Sequence, residues 1–223
     1  MERHFDEALN QLKEKLLRMS SLVEKISGSA VKALNERNSD LANQVIDSDN
    51  EINMLEIEID DLCLRLLALH QPQAGDLRFI ASTMKITNDL ERIGDLAVNI
   101  AQRTLDLIKV APLKIKINIP KMAAAAQGML KDSLNAFVNK DVQLAEAVCK
   151  RDDEVDNLNH EIILTLLKCS PEDSATMERV VDLVLVAKNL ERIADHSTNI
   201  CEDVIYMVEG KNIKHHISDH AHQ

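Results

Sequence analysis

The chain has 223 residues, 45% of them hydrophobic, and its 26 Lys and Arg against 37 Asp and Glu give a formal net charge of −11. That charge excludes nucleic acid or an anionic membrane surface as the main partner, since both would be repelled; cations, basic protein surfaces and metal-bridged anions stay open. With three Phe, one Tyr, no Trp, five Gly and four Pro, the core has to be built from Leu, Ile, Val, Met and Ala, which suits helices.

The four cysteines, Cys63, Cys149, Cys169 and Cys201, form no Cys-x-x-Cys pair, and they read as reduced core or near-core residues of a cytosolic protein. No apolar run reaches the roughly 20 residues that cross a bilayer. The opening MERHFDEALN is too charged for a secretory signal, so a soluble, cytoplasmic protein is expected.

A first helix is predicted over residues 5–34, where Phe5, Leu9, Leu12, Leu16, Met19, Val23, Ile26, Ala30 and Ala33 recur in alternating steps of four and three. The polar break at 35–40 offers Ser39 or Asp40 as the N-cap of a second helix reaching about residue 69, with Ile52, Leu55, Ile59, Leu62, Leu66 and Leu69 as its stripe. The turn HQPQAGD at 70–76 leads into a third long helix ending near Lys109. Three long helices joined by short turns make an antiparallel bundle.

Next, VAPLKIKINIP at 110–120 alternates apolar and polar residues between prolines; a lone strand has nothing to pair with, so it reads as an extended linker. The plan then recurs, with helices predicted over 121–138, 141–168 and 171–210, Ser170 as a cap, Pro171 at the first helical position and Gly210 as a stop. The tail carries four of the eight histidines and no apolar period, and is expected to fray. The expected fold is all-α, two tandem homologous three-helix bundles of six long helices: residues 1–110, a linker at 111–120, residues 121–210, and a His-rich tail at 211–223.

The recurrence is sharpest in NDLERIGDLAVNI at 88–100 and KNLERIADHSTNI at 188–200. In the third helix Ile80, Met84, Thr87, Glu91, Gly94, Val98, Ala101 and Leu105 share one register; Val180, Val184, Ala187, Glu191, Ala194, Thr198, Cys201 and Ile205 share the same register 100 residues later. Each core-facing stripe thus carries one charged residue, a glutamate, in the same place. A carboxylate there is costly without compensation.

Four residues beyond each glutamate comes Asp95 or Asp195, and four further Asn99 or Asn199. Steps of four span about 6 Å on one helix face, which stacks three oxygen donors into a ladder. The preceding helix carries a second ladder, Asp49 and Asn53 in DSDNEINMLE and Asp152 and Asp156 in KRDDEVDNLN, offset by 103. Antiparallel neighbours would bring the ladders face to face. Clustered carboxylate and amide oxygens suit hard cations such as Mg²⁺, Mn²⁺ or Ca²⁺, or carboxylate-bridged iron. The alternative is structural ion pairing of Glu91 and Asp95 with Arg92, Arg78 or Lys85, and of Glu191 with Arg192. His160 and His196 read as polar-face or core-edge residues, with His196 placed to supplement the second site. His215, His216, His220 and His222 in the tail can take transition metals adventitiously.

The paired Glu-Arg-Ile-x-Asp segments, HQPQAGDLR before the third helix, and DNEINMLE matched by DDEVDNLN closely resemble the PhoU family of phosphate-uptake regulators, over nearly the whole chain apart from the linker and tail. The resemblance implies tandem three-helix bundles whose repeated acidic motif holds multinuclear metal clusters in some members. Carried over, the ligands are Glu91, Asp95 and Asn99 with Asp49 and Asn53, and Glu191, Asp195 and Asn199 with Asp152 and Asp156. The ion is open among Mg, Mn, Fe and Zn. Asn53 stands where Asp156 carries an acid, and His196 stands opposite Leu96, so the sites are unequal.

The resemblance further implies a non-enzymatic cytoplasmic adaptor that negatively regulates high-affinity phosphate uptake and phosphate-starvation signalling. Its implied partners are the ATPase subunit of the phosphate ABC transporter and a sensor histidine kinase, with the membrane reached only through them, and it is expected to form a homodimer. Two rival classes are a di-metal carboxylate enzyme and a purely structural helical scaffold. Against the enzyme, the helices hold no Glu-x-x-His and no phosphate-cradling Gly-rich loop.

Overall fold

The computed structural model describes residues 2–168 and 174–213, and these contain helices and no strand. The first repeat is α1 (Glu2–Glu36), α2 (Ser39–His70) and α3 (Ala74–Ile108); the second is α4 (Ile119–Asn139), α5 (Val142–Cys149), α6 (Asp152–Leu167) and α7 (Ser174–Glu209). The fold is all-α, as the periodicity requires. Among the described residues no helix is long and apolar enough to cross a membrane. Cys169, Ser170, Pro171 and the tail histidines lie outside the described residues.

Each repeat opens with the same turn chemistry. Arg37 and Lys140 both adopt the left-handed conformation, with φ of 52° and 54°. The following amide folds back onto the helix just ended, Asn38 N to Ala33 O and Asp141 N to Ala136 O, both 2.9 Å. Asn38 and Asp141 then cap the next helix by accepting from Leu41 N and Leu144 N, each at 3.0 Å. The cap of α2 is therefore Asn38, not Ser39 or Asp40: Arg37 takes the left-handed position, so the chain turns a residue earlier than expected.

The expected helix over 141–168 is broken at Lys150 and Arg151 into α5 and α6. Arg151 reaches down to α4, where its Nη1 donates to Asp132 Oδ2 at 2.5 Å. A Cβ on Gly128 would stand 2.8 Å from Arg151 Nη2, so glycine there leaves room for the guanidinium. The break makes Asp152 the first residue of α6, followed by Asp153 and Glu154 in its first turn, where the helix dipole favours negative charge. Its counterpart Asp49 sits in the interior of α2. At the other end of the repeat, α7 stops where expected, with Gly210 at φ +72°.

The core runs continuously through both repeats, from Leu12, Leu16 and Ile52 to Leu166, Leu190 and Ile200. The second apolar stripe of α3, Leu90, Ile93, Ala97 and Ile100, is fully buried, as is its equivalent on α7, Leu190, Ile193, Ser197 and Ile200. Helices α3 and α7 run antiparallel against each other along most of their length. Polar pairs mark the register: Lys85 Nζ to Asp203 Oδ1 at 3.3 Å, His196 Nδ1 to Asp89 Oδ1 at 2.8 Å, and Arg103 Nη1 to Asp182 Oδ1 at 3.1 Å. These two apolar surfaces are thus used inside the chain.

The linker crosses from α3 to α4 without strand structure. Its alternation is real: Leu113, Ile115 and Ile117 pack on the core, while Lys114, Lys116 and Asn118 are exposed. Arg37 anchors its start, with Nη2 within reach of the carbonyls of Leu107 at 2.8 Å, Ile108 at 3.1 Å and Val110 at 2.5 Å. Arg37→Met keeps the stem and removes these bonds. It is expected to cost about 2 kcal/mol and to lower Tm by about 4–8 °C for a chain of this length, measured by urea and thermal unfolding.

Candidate functional site

Helices α2 and α3 meet closely because Gly94 has no side chain: a Cβ there would stand 3.2 Å from Ile52 Cδ1 and 3.8 Å from Asp49 Oδ1. Around this contact lie Asp49, Asn53 and Glu56 from α2 and Glu91 and Asp95 from α3. Asn53 Nδ2 donates to Asp49 Oδ2 at 2.9 Å. Buried oxygens remain without a hydrogen-bond partner: Asp49 Oδ1, Asn53 Oδ1 and Glu91 Oε2. Arg92 lies along the rim, its Nε 3.4 Å from Glu91 Oε2 and its Nη1 3.3 Å from Asp95 Oδ2.

The carboxyls respond to this crowding. Burial pushes Glu91 up from the ordinary range and the Asp95 charge pushes it further, with Arg92 opposing. Burial also raises Asp49 and Glu56, with smaller upward contributions from Asp95 in both cases. An acid that stays raised by desolvation and by its neighbours beside such a cation is only partly compensated.

The second cluster joins Asp152, Asp156 and Asn159 of α6 to Glu191 and Asp195 of α7. Asn159 Nδ2 donates to Glu191 Oε1 at 2.9 Å. Lys188, one turn before Glu191, places Nζ 2.9 Å from Oε1 and 2.8 Å from Oε2. Burial raises Asp152, with Asp156 adding to it, and raises Asp156, with Glu191 adding to it. Asp195 is pushed from the usual 3.8 to about 6, by burial of part of its carboxyl and then by the charges of Asp152, Glu191 and Asp156.

The structure therefore brings together Asp49, Asn53, Glu91 and Asp95, and likewise Asp152, Asp156, Glu191 and Asp195. It does not bring in the last rungs of the α3 and α7 ladders. Asn99 is exposed. Asn199 turns to the other repeat, donating to Asp89 Oδ1 at 3.3 Å, and His196 binds the same oxygen instead of supplementing the second cluster. Among the described residues, no three His, Cys, Asp or Glu side chains converge on one point as a finished ligand set. Of the expected ion pairs, only Arg92 engages. Arg78 donates to Met207 O at 3.5 Å, Lys85 holds Asp203, and Lys188 rather than Arg192 holds Glu191.

Glu56 and Asn159 were missed, although the aligned segments at 47–56 and 150–159 end on them. With them included, α2 offers Asp, Asn, Glu and α6 offers Asp, Asp, Asn. Each cluster has four acids and one amide, with the amide moved by one rung. The signal was in the alignment, in a rung set three residues on rather than four.

The chain matches the PhoU domain model twice, over residues 16–104 and 119–204. It belongs to the PhoU family. It is 42% identical over 212 residues to a phosphate-specific transport system accessory protein PhoU homolog of Aquifex aeolicus, covering 95% of this chain and 96% of that one. It is 33% identical over 211 residues to the Escherichia coli K12 accessory protein PhoU, covering 95% and 88%. The crystal structure of PhoU from Pseudomonas aeruginosa superposes with a TM-score of 0.89 at 38% identity, over 93% of this chain and all of that one. Both PhoU matches span the acid clusters of this chain.

The raised Asp195 carboxyl gives a signed expectation. A carboxyl whose folded value lies above its unfolded one stabilises the fold at low pH and loses that contribution as pH rises through about 6. Without divalent cations, Asp195→Asn is expected to raise Tm at pH 7.5 by about 1–3 °C, a small gain for a charge that water screens. The gain should fade between pH 6 and pH 4, a window set by the same shift, in differential scanning calorimetry with EDTA.

Proposed function

We propose that this chain is a non-enzymatic regulatory accessory protein of a phosphate transport system. In this reading it acts in the cytoplasm as an adaptor that lowers high-affinity phosphate uptake and holds the starvation response off when phosphate is ample. Its partners are the ATPase subunit of the phosphate transporter and a sensor histidine kinase. Support comes from the family and from relatives named as accessory proteins of phosphate-specific transport.

The observation that carries the reading is the pair of half-buried acid clusters in equivalent places of the two repeats. Their residues fit metal ions: Asp49 Oδ1, Glu91 Oε2 and Asp152 Oδ1 are buried without a hydrogen-bond donor, and hard cations prefer carboxylate and amide oxygen. Asp49, Asn53, Glu56, Glu91 and Asp95 would hold the first group, and Asp152, Asp156, Asn159, Glu191 and Asp195 the second. When bound, cations would neutralise the grooves and offer open coordination positions to phosphate or to a partner's carboxylate. The chain's own part is to fix the helix faces that carry those groups. Without cations the grooves repel anions and acidic surfaces.

A homodimer, which the family resemblance implies, would use a face other than the second stripes of α3 and α7, because these are buried within the chain.

Elemental analysis of protein purified without chelator or affinity metal, with the histidine tail removed, tests the site directly. The parent is expected to carry Mn, Fe, Mg or Zn, and the Glu91→Ala/Glu191→Ala double variant to lose most of it. Binding of the purified ATPase subunit, by surface plasmon resonance, should weaken at least tenfold in the double variant and in EDTA. Unchanged partner binding with the metal gone would remove the cations from the mechanism and leave an adaptor acting by charge alone.

A further inference from the structure

The two clusters carry the same number of acids, yet their local cations differ. In the second, Lys188 Nζ lies 2.9 and 2.8 Å from the two Glu191 oxygens, capping the carboxylate that faces the groove. The equivalent position in the first repeat is Asn88, which has no charge. There the nearby cation is Arg92, held at the rim by its place next to Glu91. Its Nε is 3.4 Å from Glu91 Oε2, and that oxygen is buried with no hydrogen-bond partner. Arg192, its counterpart, is exposed.

On each acidic side of the molecule a deeply buried polar atom is left without a partner. Asn159 is 4% exposed; its amide nitrogen binds Glu191, and its Oδ1 has no partner. Thr87 is 0% exposed and sits one turn before Glu91 on the same stripe, with its Oγ1 also unpartnered. A buried acceptor left unmade costs free energy. Asn159 Oδ1, held beside Glu191 by the other end of the same amide, points to a cation that would complete its coordination.

On the cation-binding reading given above, we propose that the two clusters fill in sequence, the first repeat before the second. Lys188 sets the order as a tethered competitor: a divalent ion can engage Glu191 only by displacing an ammonium from both carboxylate oxygens. At Glu91 only one oxygen meets a cation, Arg92 Nε at 3.4 Å, and that guanidinium is shared with Asp95 at 3.3 Å, a looser hold than the two short contacts at Glu191. The chain thereby has a tight site and a weaker one that fills only at higher cation concentration.

The test is Mn²⁺ titration of the full chain, with free ion counted by electron paramagnetic resonance. Two affinity classes are expected, the tight one lost in Glu91→Gln and the weak one in Glu191→Gln. Lys188→Met should tighten the weak class roughly two- to fivefold, the range that a half-exposed ion pair supports, and leave the tight class unchanged. Asn88→Lys should weaken the tight class by a similar factor. Both changes lie on exposed or half-exposed positions, and circular dichroism would verify the fold. A tight class that disappears in Glu191→Gln, or a weak class unmoved by Lys188→Met, overturns the inference while leaving cation binding intact. No bound Mn²⁺ in the parent overturns both.

Discussion

The seam between α3 and α7 is the contact on which the rest of the molecule depends. These two helices are equivalent members of the repeats, and they pack antiparallel through Leu90, Ile93 and Ile100 against Leu190, Ile193 and Ile200, all buried. Such a contact between equivalent surfaces resembles that of an isologous dimer carried on one chain. Once it is made, the orientation of each acidic helix is fixed. The stripe with Glu91 or Glu191 then faces the other helices of its own repeat, with the carboxylate toward α2 or α6. The same packing that satisfies the apolar residues therefore places the carboxylates in grooves, where water reaches them only in part.

That placement sets the electrostatics. Desolvation is the leading cause for each raised carboxyl of the clusters, ahead of any neighbouring charge. The fold spends stability holding these acids together, as expected where function rather than stability fixes residue choice. Arg92 and Lys188 relieve the strain only locally, because each is half exposed and screened. By contrast, the polar pairs across the seam, such as Arg103 with Asp182, join opposite charges and leave no comparable excess.

Much of this was legible in the sequence because long helices write their packing into spacing. The a/d stripes of α1 and α2, the linker's alternation and the doubled Glu-Arg-Ile-x-Asp needed only a 3.6-residue period or a fixed offset. What stayed hidden was set by single side chains reaching across space. Arg151 breaks a helix that its own segment would continue, through Asp132 and the gap left by Gly128. Asn38 caps α2 because Arg37 accepts a left-handed backbone, which more often falls to glycine and which no spacing marks at an arginine. Asn199 and His196 leave the ladder because Asp89, on a helix more than 100 residues away, offers a buried acceptor. Periodicity says which face a residue is on; it does not say which of two neighbours on that face it will choose.

The choice made by His196 and Asn199 bears on how far the repeats can act alike. Asp89 lies in the seam and is bound by both, but the equivalent of Asp89 is Asn189 and the equivalent of His196 is Leu96. The polar lock therefore exists on one side of the seam only. His196 directly follows Asp195 on α7, so any rotation of that helix that draws Asp195 further into the second groove also pulls on Asp89 of the first repeat. No such link connects Asp95 to the second repeat, because its neighbour Leu96 is a buried apolar residue. Because a hydrogen bond couples its two partners equally, a change in either cluster that moves α3 or α7 is felt across the seam through this one histidine link. Two repeats alike in their acidic pattern are in this way joined through unlike residues, Asp89 of the first and His196 of the second.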